Sequence, residues 1–264
     1  MDIYLNTVQF ELTRRCNDNC IHCCRGEAQE LELSPEVIDA FFENNNIVSL
    51  GRFLLSGGEP TLGAAAFEYL VDKIIEKKIH VRNFSFSING KNYDERFNAS
   101  LKKFGEYILS LKDKKYKIPG TFWISNNQFH TAPPKEIVDK YSKFPFFVPY
   151  RKERQMHLKV EDILPVGRAL DNNLSPHSLD VEQIWGMGIK YQTLNHNDRE
   201  CLYLPYLYIS SNGNIQNDYG SMYSFDLMDN YTFGNVLYEK IEEIVLNEEK
   251  NKYTNIEKET SMVK

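Results

Sequence analysis

The chain reads as an α/β protein in which repeated strand–helix units build a parallel, barrel-type sheet, followed by a small α+β extension. Two features of the first half predict the sheet. Short apolar or alternating runs of strand length recur there, and each is followed by a stretch with helical spacing. Such βα repeats imply parallel strands, because a parallel pair needs a long crossover and a helix supplies it. The third observation sets the limit of that region. The rhythm stops near Asp171, where Asp171-Asn172-Asn173-Leu174-Ser175-Pro176 is rich in turn residues.

Taken in order, Val8-Gln9-Phe10-Glu11-Leu12 alternates as a strand and feeds a cysteine-rich loop. Ser34-Pro35-Glu36 opens a helix, with a hydroxyl N-cap, Pro in the first turn and an early acid. Arg52 to Ser56 is the second strand, and Ala64 to Lys78 carries helical spacing. Val81 to Ile88 is strand-like with an Asn89-Gly90 exit, and Asp94 to Leu111 reads as a helix. Thr121 to Ile124 is a strand, Pro134 to Phe144 a helix, and Phe146-Phe147-Val148 a further strand. Beyond the boundary, Cys201 to Ile209 and Ser210 to Ile215 read as a β-hairpin around an Asn-Gly turn. Gly234-Asn235-Val236 then leads to a helix over Leu237 to Asn247. The expected organisation is a barrel over 1–170, a C-terminal module over 171–247 and a charged tail over 248–264.

Composition fits one globular enzyme: 264 residues, 42% hydrophobic and 26% charged, a normal size for an α/β barrel. The net charge of −6, without a basic helix, does not indicate a general nucleic-acid surface. No run approaches the roughly 20 apolar residues of a spanning helix, and the first residues lack a basic segment with a long apolar stretch. The expected location is therefore cytoplasmic, with no membrane partner. Four of the five Cys lie within nine positions, a poor layout for a disulfide framework and a reason to expect a reducing compartment.

Chemistry concentrates in two short segments. Cys16, Cys20 and Cys23 form C-x3-C-x2-C, and three thiolates on one loop can hold an iron–sulfur cluster while leaving one iron open. The competing arrangement is a closed zinc site completed by Cys24 or His22. Zinc ligands, however, usually come as two separated pairs. Ser56-Gly57-Gly58-Glu59-Pro60 follows the apolar run Phe53-Leu54-Leu55. Two glycines allow close backbone approach, Pro60 sets the exit, and Glu59 offers an anionic acceptor suited to an ammonium group. In a parallel barrel the loops after the strands share one rim, so both segments meet Ser87 to Gly90 and Ser125-Asn126-Asn127 there.

These motifs, in this order, resemble the signature of the radical S-adenosylmethionine (SAM) superfamily, with the likeness spanning most of residues 3 to 170. The resemblance implies a partial (β/α)6 TIM-type barrel, one [4Fe-4S] cluster on Cys16, Cys20 and Cys23, and S-adenosyl-L-methionine on the open iron. It places His22 near the adenine, Gly57, Gly58, Glu59 and Pro60 at the SAM amino group, and Ser87, Asn89, Ser125 and Asn127 at the ribose and other parts of SAM. His130 becomes a candidate active-site residue. Leu164-Pro165-Val166-Gly167-Arg168-Ala169 resembles a Gly-Arg-Ala turn in which Gly167 gives close approach and Arg168 meets a carboxylate. Cys24 is expected to pack rather than ligate, and Arg14, Arg15 and Arg25 either lower the thiolate pKa values, balance cluster charge or stay solvated.

The implied reaction is one-electron cleavage of SAM to methionine and a 5′-deoxyadenosyl radical that abstracts hydrogen from a substrate carbon, fed by an electron donor such as flavodoxin or ferredoxin. The C-terminal layout resembles a degenerate SPASM or twitch module. Cys201 matches its first Cys, but Gln216-Asn217-Asp218-Tyr219 offers no thiol. Asp218 is a remote substitute ligand, and Cys201 is expected to be a small buried residue. A peptide is the favoured substrate. The alternatives are a small metabolite or nucleotide, or a partner protein on which a glycyl radical is made.

Overall fold

The computed structural model describes residues 1–111, 118–148, 159–176, 188–196, 199–216 and 232–247. Four parallel strands start the fold: β1 (Asp2–Glu11), β2 (Asn46–Ser56), β3 (His80–Ile88) and β4 (Gly120–Ile124), side by side in the order β4-β3-β2-β1. Helices α1 (Pro35–Glu43), α2 (Ala64–Glu76) and α3 (Glu95–Leu111) connect them, with the short α4 (Lys135–Tyr141) after β4. The structure is a mixed α/β fold around a parallel-rich sheet, consistent with a partial TIM-type barrel.

Local chemistry accounts for the helix ends. Ser34 Oγ accepts from Val37 N at 3.4 Å with Pro35 in the first turn, as an N-cap should. Helix α2 stops at Glu76, two residues short of the expected end, because Ile79 N donates to Ile74 O and Lys78 N to Ile75 O. This Schellman closure puts Lys78 at φ 54°, where the helix cannot continue.

The helices cover one face with an aromatic core. Phe10 meets Phe41, Phe53 meets Phe104, and Phe67 meets Phe97, at centroid distances of 5.1, 4.9 and 4.7 Å. Paired residues of parallel strands share a face, so register defines the opposite side. There Gln9 pairs Leu54, Glu11 pairs Ser56, Arg52 pairs Asn83, and Ser85 and Ser87 pair Thr121 and Trp123. This face is mostly polar, unlike the packed interior of a closed barrel.

The C-terminal segment extends the same sheet. Strand β5 (Gln192–His196) runs antiparallel to β6 (Arg199–Leu204), and β6 lies parallel to the lower half of β1. Strand β7 (Leu207–Ile209) lies parallel to its upper half and forms the expected hairpin with β8 (Asn214–Gln216) around Gly213 at φ 86°. The two-residue β9 (Gly234–Asn235) closes this edge. Asp171 thus separates two segments in sequence that the sheet joins in space.

Two expected elements are corrected. Phe146-Phe147-Val148 is not a strand: Phe147 makes one isolated parallel bridge to Phe122. The turn bond from Phe147 N to Phe144 O keeps this stretch curled after α4. The last helix is α6 (Ile241–Leu246), after the four-residue α5 (Arg168–Asp171). It is shorter than Leu237 to Asn247 because Asn235 O captures the amides of Tyr238 and Glu239 in turns. The expected tail over 248–264 and Asp218 lie outside the described residues. Among the described residues no helix is long and apolar enough to cross a membrane.

Candidate active site

Strand β1 delivers the chain into the cysteine loop, and β2 delivers it into Gly57 to Pro60 alongside. The two segments continue the strand pairing past Glu11 and Ser56: Gly58 N donates to Thr13 O at 2.8 Å and Glu59 N to Arg15 O at 2.9 Å. A Cβ on Gly57 would strike Thr13 O, and one on Gly58 would strike Arg15 O. The glycines therefore let the turn lie against the backbone approaching the cysteines, and Gly57 also needs its φ of 147°.

Cys16, Cys20 and Cys23 are half-buried and line one cavity of about 330 Å³. His22, Gly57, Gly58, Glu59, Pro60, Ser87, Asn89, Ser125, His130 and Arg168, all named from the sequence, line it too. Asn127 stands one step behind, meeting His130 Nδ1 at 2.8 Å through Oδ1 and lying 3.4 Å from His22 Nε2 through Nδ2. His22 stacks on Phe129 with centroids 4.9 Å apart and contacts His130 edge-on. Burial, aided by His130, pushes its imidazole down to about 4, so the ring is neutral at neutral pH. Burial also lowers His130.

The carboxylate of Glu59 is wholly enclosed. Its Oε1 accepts from Thr61 N and Oγ1 at 3.1 and 2.7 Å, and its Oε2 from Asn89 N at 2.7 Å. Burial still raises its pKa. Asn89 then reaches Asn17 Oδ1 at 2.6 Å, tying the end of β3 to the cysteine loop. Lys91 binds Asp18 at 2.6 Å from the same side. The Gly167-Arg168 turn holds the loop from the other: Arg168 N donates to Cys23 O at 2.9 Å and its guanidinium to Asn19 Oδ1. A Cβ on Gly167, at φ 56°, would strike Cys23 O at 2.6 Å.

The arginines beside the loop are engaged by other groups, and none is among the causes that shift Cys16 or Cys20. Arg14 binds Glu11 and Gln29, Arg15 binds Glu32 and Leu62 O, and Arg25 binds Tyr208 and Ser56. Burial raises the Cys16 thiol, and burial together with Asp18 pushes Cys20 up to about 12. Cys24 also lines the cavity wall, a position the expectation of simple packing did not include. Cys201, at 2% exposure in β6, donates to Arg199 O and lies on the far part of β1 from the cavity.

Glu11, Tyr208 and Ser211 were not singled out from the sequence, yet they form a buried network behind Arg25, which lines the cavity and donates to Tyr208 Oη at 2.7 Å. Glu11 accepts from Arg14 Nε at 3.0 Å, Tyr208 Oη at 2.9 Å and Ser211 N at 2.9 Å, all buried. The available signal was an acid at a strand position that register turns toward the polar face.

The donor set matches what an iron–sulfur cluster with SAM would need. Three thiols face one cavity, and three buried polar atoms on its wall have no hydrogen-bond partner among the described residues: Asp18 Oδ2, His22 Nδ1 and Arg168 Nε. An acceptor, a heteroaromatic nitrogen and a guanidinium N–H suit an ammonium, a purine edge and a carboxylate. Among the described residues no three His, Cys, Asp or Glu side chains converge on a single ion. The chemistry of these residues fits a cluster and SAM.

Residues 10–113 match the radical SAM superfamily. A probable GTP 3′,8-cyclase of Pyrococcus abyssi is 28% identical over 121 residues, a stretch covering 43% of this chain and 38% of that protein. Among solved structures, Streptococcus suis SuiB bound to precursor peptide SuiA aligns with a TM-score of 0.49 at 12% identity, covering 91% of this chain and 64% of that one. Histidine-tagged anSMEcpe with bound AdoMet aligns at 0.44 and 15%, covering 96% and 79%. The likeness to the radical SAM superfamily thus covers residues 10–113, and the chain spans 38% of the length of the curated relative it matches.

Proposed function

We propose that Cys16, Cys20 and Cys23 hold one [4Fe-4S] cluster, that S-adenosyl-L-methionine binds beside it, and that the enzyme abstracts hydrogen from a peptide substrate. The observation that carries the cofactor assignment is the single cavity shared by the three thiols and the unpartnered atoms of Asp18, His22 and Arg168. When bound, the cluster and SAM supply reductive cleavage of the sulfonium and an acceptor for a substrate hydrogen atom. The chain's own residues bind and orient. Arg168 addresses a carboxylate, Asp18 and Glu59 set the negative potential for an ammonium, and neutral His22 with Phe129 offers a flat face to a purine. Ser87, Asn89, Ser125 and Asn127 supply hydroxyl and amide groups around it. No side chain acts as a general base.

The peptide reading rests on the hairpin of β7 and β8 preceded by Cys201, taken as a degenerate twitch module without its own cluster. SuiB with its precursor peptide and anSMEcpe with a Cp18Cys peptide are in keeping with this reading but are not its basis. A small metabolite or nucleotide is the second reading, favoured by the polar face of β1 to β4 below the cavity. Either reading places the enzyme in a reducing compartment, the cytoplasm, with flavodoxin or ferredoxin as electron donor.

Anaerobic reconstitution with iron and sulfide, then dithionite and SAM, tests the cofactor reading. Wild type should bind iron and release 5′-deoxyadenosine, while Cys16→Ala, Cys20→Ala and Cys23→Ala should each lose the nucleoside by at least about 100-fold. Unchanged release from any of the three variants would sink the assignment.

A further inference from the structure

One amide meets two imidazoles beside the cysteine cavity. Asn127 Oδ1 accepts from Phe129 N at 3.0 Å, and a backbone N–H can only donate, so this contact fixes which end of the amide is oxygen. The same Oδ1 lies 2.8 Å from His130 Nδ1, which must therefore carry a proton; the contact of Asn127 N with that nitrogen is longer, at 3.4 Å. At the other end of the amide, Nδ2 has only hydrogens to offer, and it faces His22 Nε2 at 3.4 Å. That nitrogen must be bare, so the His22 proton sits on Nδ1. Stacking of His22 on Phe129 and its edge-on contact with His130 hold the rings in this order.

The two ends of Asn127 thus hold both rings as the same tautomer, Nδ1–H, but from opposite sides. His22 is left with its N–H, a buried donor with no hydrogen-bond partner among the described residues, and His130 with the lone pair of Nε2. Both residues line the cavity. We propose that Asn127 is a positioning residue for nucleoside recognition, making His22 a hydrogen-bond donor and His130 an acceptor toward the adenosyl group of S-adenosyl-L-methionine. An imidazole without such a partner can carry its proton on either nitrogen, and the amide removes that choice. An Asp at this position would offer two acceptors and draw a proton to the facing nitrogen of both rings; an apolar residue would fix neither. Two rings kept neutral also add no positive charge beside a cationic sulfonium.

The proposal rests on the cofactor reading only in naming the occupant. Nitrogen-15 NMR of the iron-free chain, labelled in its imidazoles and held at about pH 9 where an ordinary imidazole is neutral, reads the tautomers without cluster or ligand. His22→Phe and His130→Phe assign the two signals. Wild type should hold both rings as Nδ1–H. Asn127→Asp should move His22 alone to the Nε2–H form and leave His130 as it was, whereas Asn127→Leu should let both rings exchange between forms. Calorimetric titration of the reconstituted chain with S-adenosyl-L-homocysteine reads the consequence. Its affinity should fall roughly tenfold in Asn127→Asp through loss of the His22 donor, and the same substitution should cost nothing more once His22 is Phe. His22 as Nε2–H in wild type, or a His22 form that both Asn127 variants leave unchanged, overturns the proposal, and so does equal affinity in wild type and Asn127→Asp. No binding by wild type is a failure of the cofactor reading, and the NMR result then decides the role of Asn127 alone. Should Asn127→Asp fail to fold, Asn127→Leu carries both comparisons.

Discussion

A carboxylate at 1% exposure, as Glu11 is, costs several kcal/mol to bury unless donors replace its water. Arg14 does so from the loop just after β1, and Tyr208 and Ser211 from the β7–β8 hairpin, which makes Glu11 the joint between the two. Glu11→Gln turns one acceptor oxygen into a donor facing donors. It should lower stability by roughly 3 kcal/mol, read from urea unfolding; a loss below about 1 kcal/mol means that the network contributes little. The glycines act differently. Gly57, Gly58 and Gly167 stabilise nothing themselves, but each removes a Cβ that would strike the backbone around the cysteines.

Between elements, a charged cluster joins α1 to α2. Lys73 reaches Asp39 at 2.8 Å and Glu43 at 3.6 Å, and Lys77 reaches Glu43 at 2.6 Å. The hydrogen bond from Lys73 holds Asp39 below its usual range, that from Lys77 holds Glu43 below, and Asp39 holds Lys73 above. A depressed carboxylate contributes stability that is present above its unfolded pKa and lost as pH falls through the folded value. A raised lysine contributes below its unfolded pKa and loses that contribution only as pH rises through the folded value. The cluster is therefore complete from about pH 5 to about pH 10. Wild type should lose more stability than Lys73→Met between about pH 6 and about pH 3 by denaturant midpoint, and added salt should shrink the difference. Equal acid losses in both proteins would show that other carboxylates set the acid limb.

For the whole molecule, the continuity of the sheet matters most. Strand β1 pairs β2 along one edge, and β6 and β7 together along the other, so residues beyond Asp171 cover an edge of the first strand. Leu202, Leu204, Leu207 and Ile209, all at 0% exposure, come from that covering segment. A chain ending at residue 171 should expose this edge and associate rather than unfold cooperatively as a monomer. Size-exclusion chromatography with thermal melting reads this out, and a monomeric, cooperative fragment would show that the first half folds alone.

The order of the first strands and helices, the cysteine loop, the Gly57 to Pro60 turn and the Asn-Gly hairpin were all legible in the sequence, because each rests on local chemistry: period, caps and turn residues. Strand lengths were less so. Residues 2 to 7 of β1 include Asp2, Asn6 and Thr7, and their burial falls out of phase with that of Val8 and Phe10, so alternation alone stops at Val8. Phe146 to Val148 has strand composition, yet a turn after α4 allows it one bridge. Only tertiary structure decided that Tyr208 and Ser211 meet Glu11 across some 200 positions, and that Arg14, Arg15 and Arg25 are engaged by Glu11, Glu32 and Tyr208. Such pairings depend on which strands lie side by side and in what register, and no local period records that.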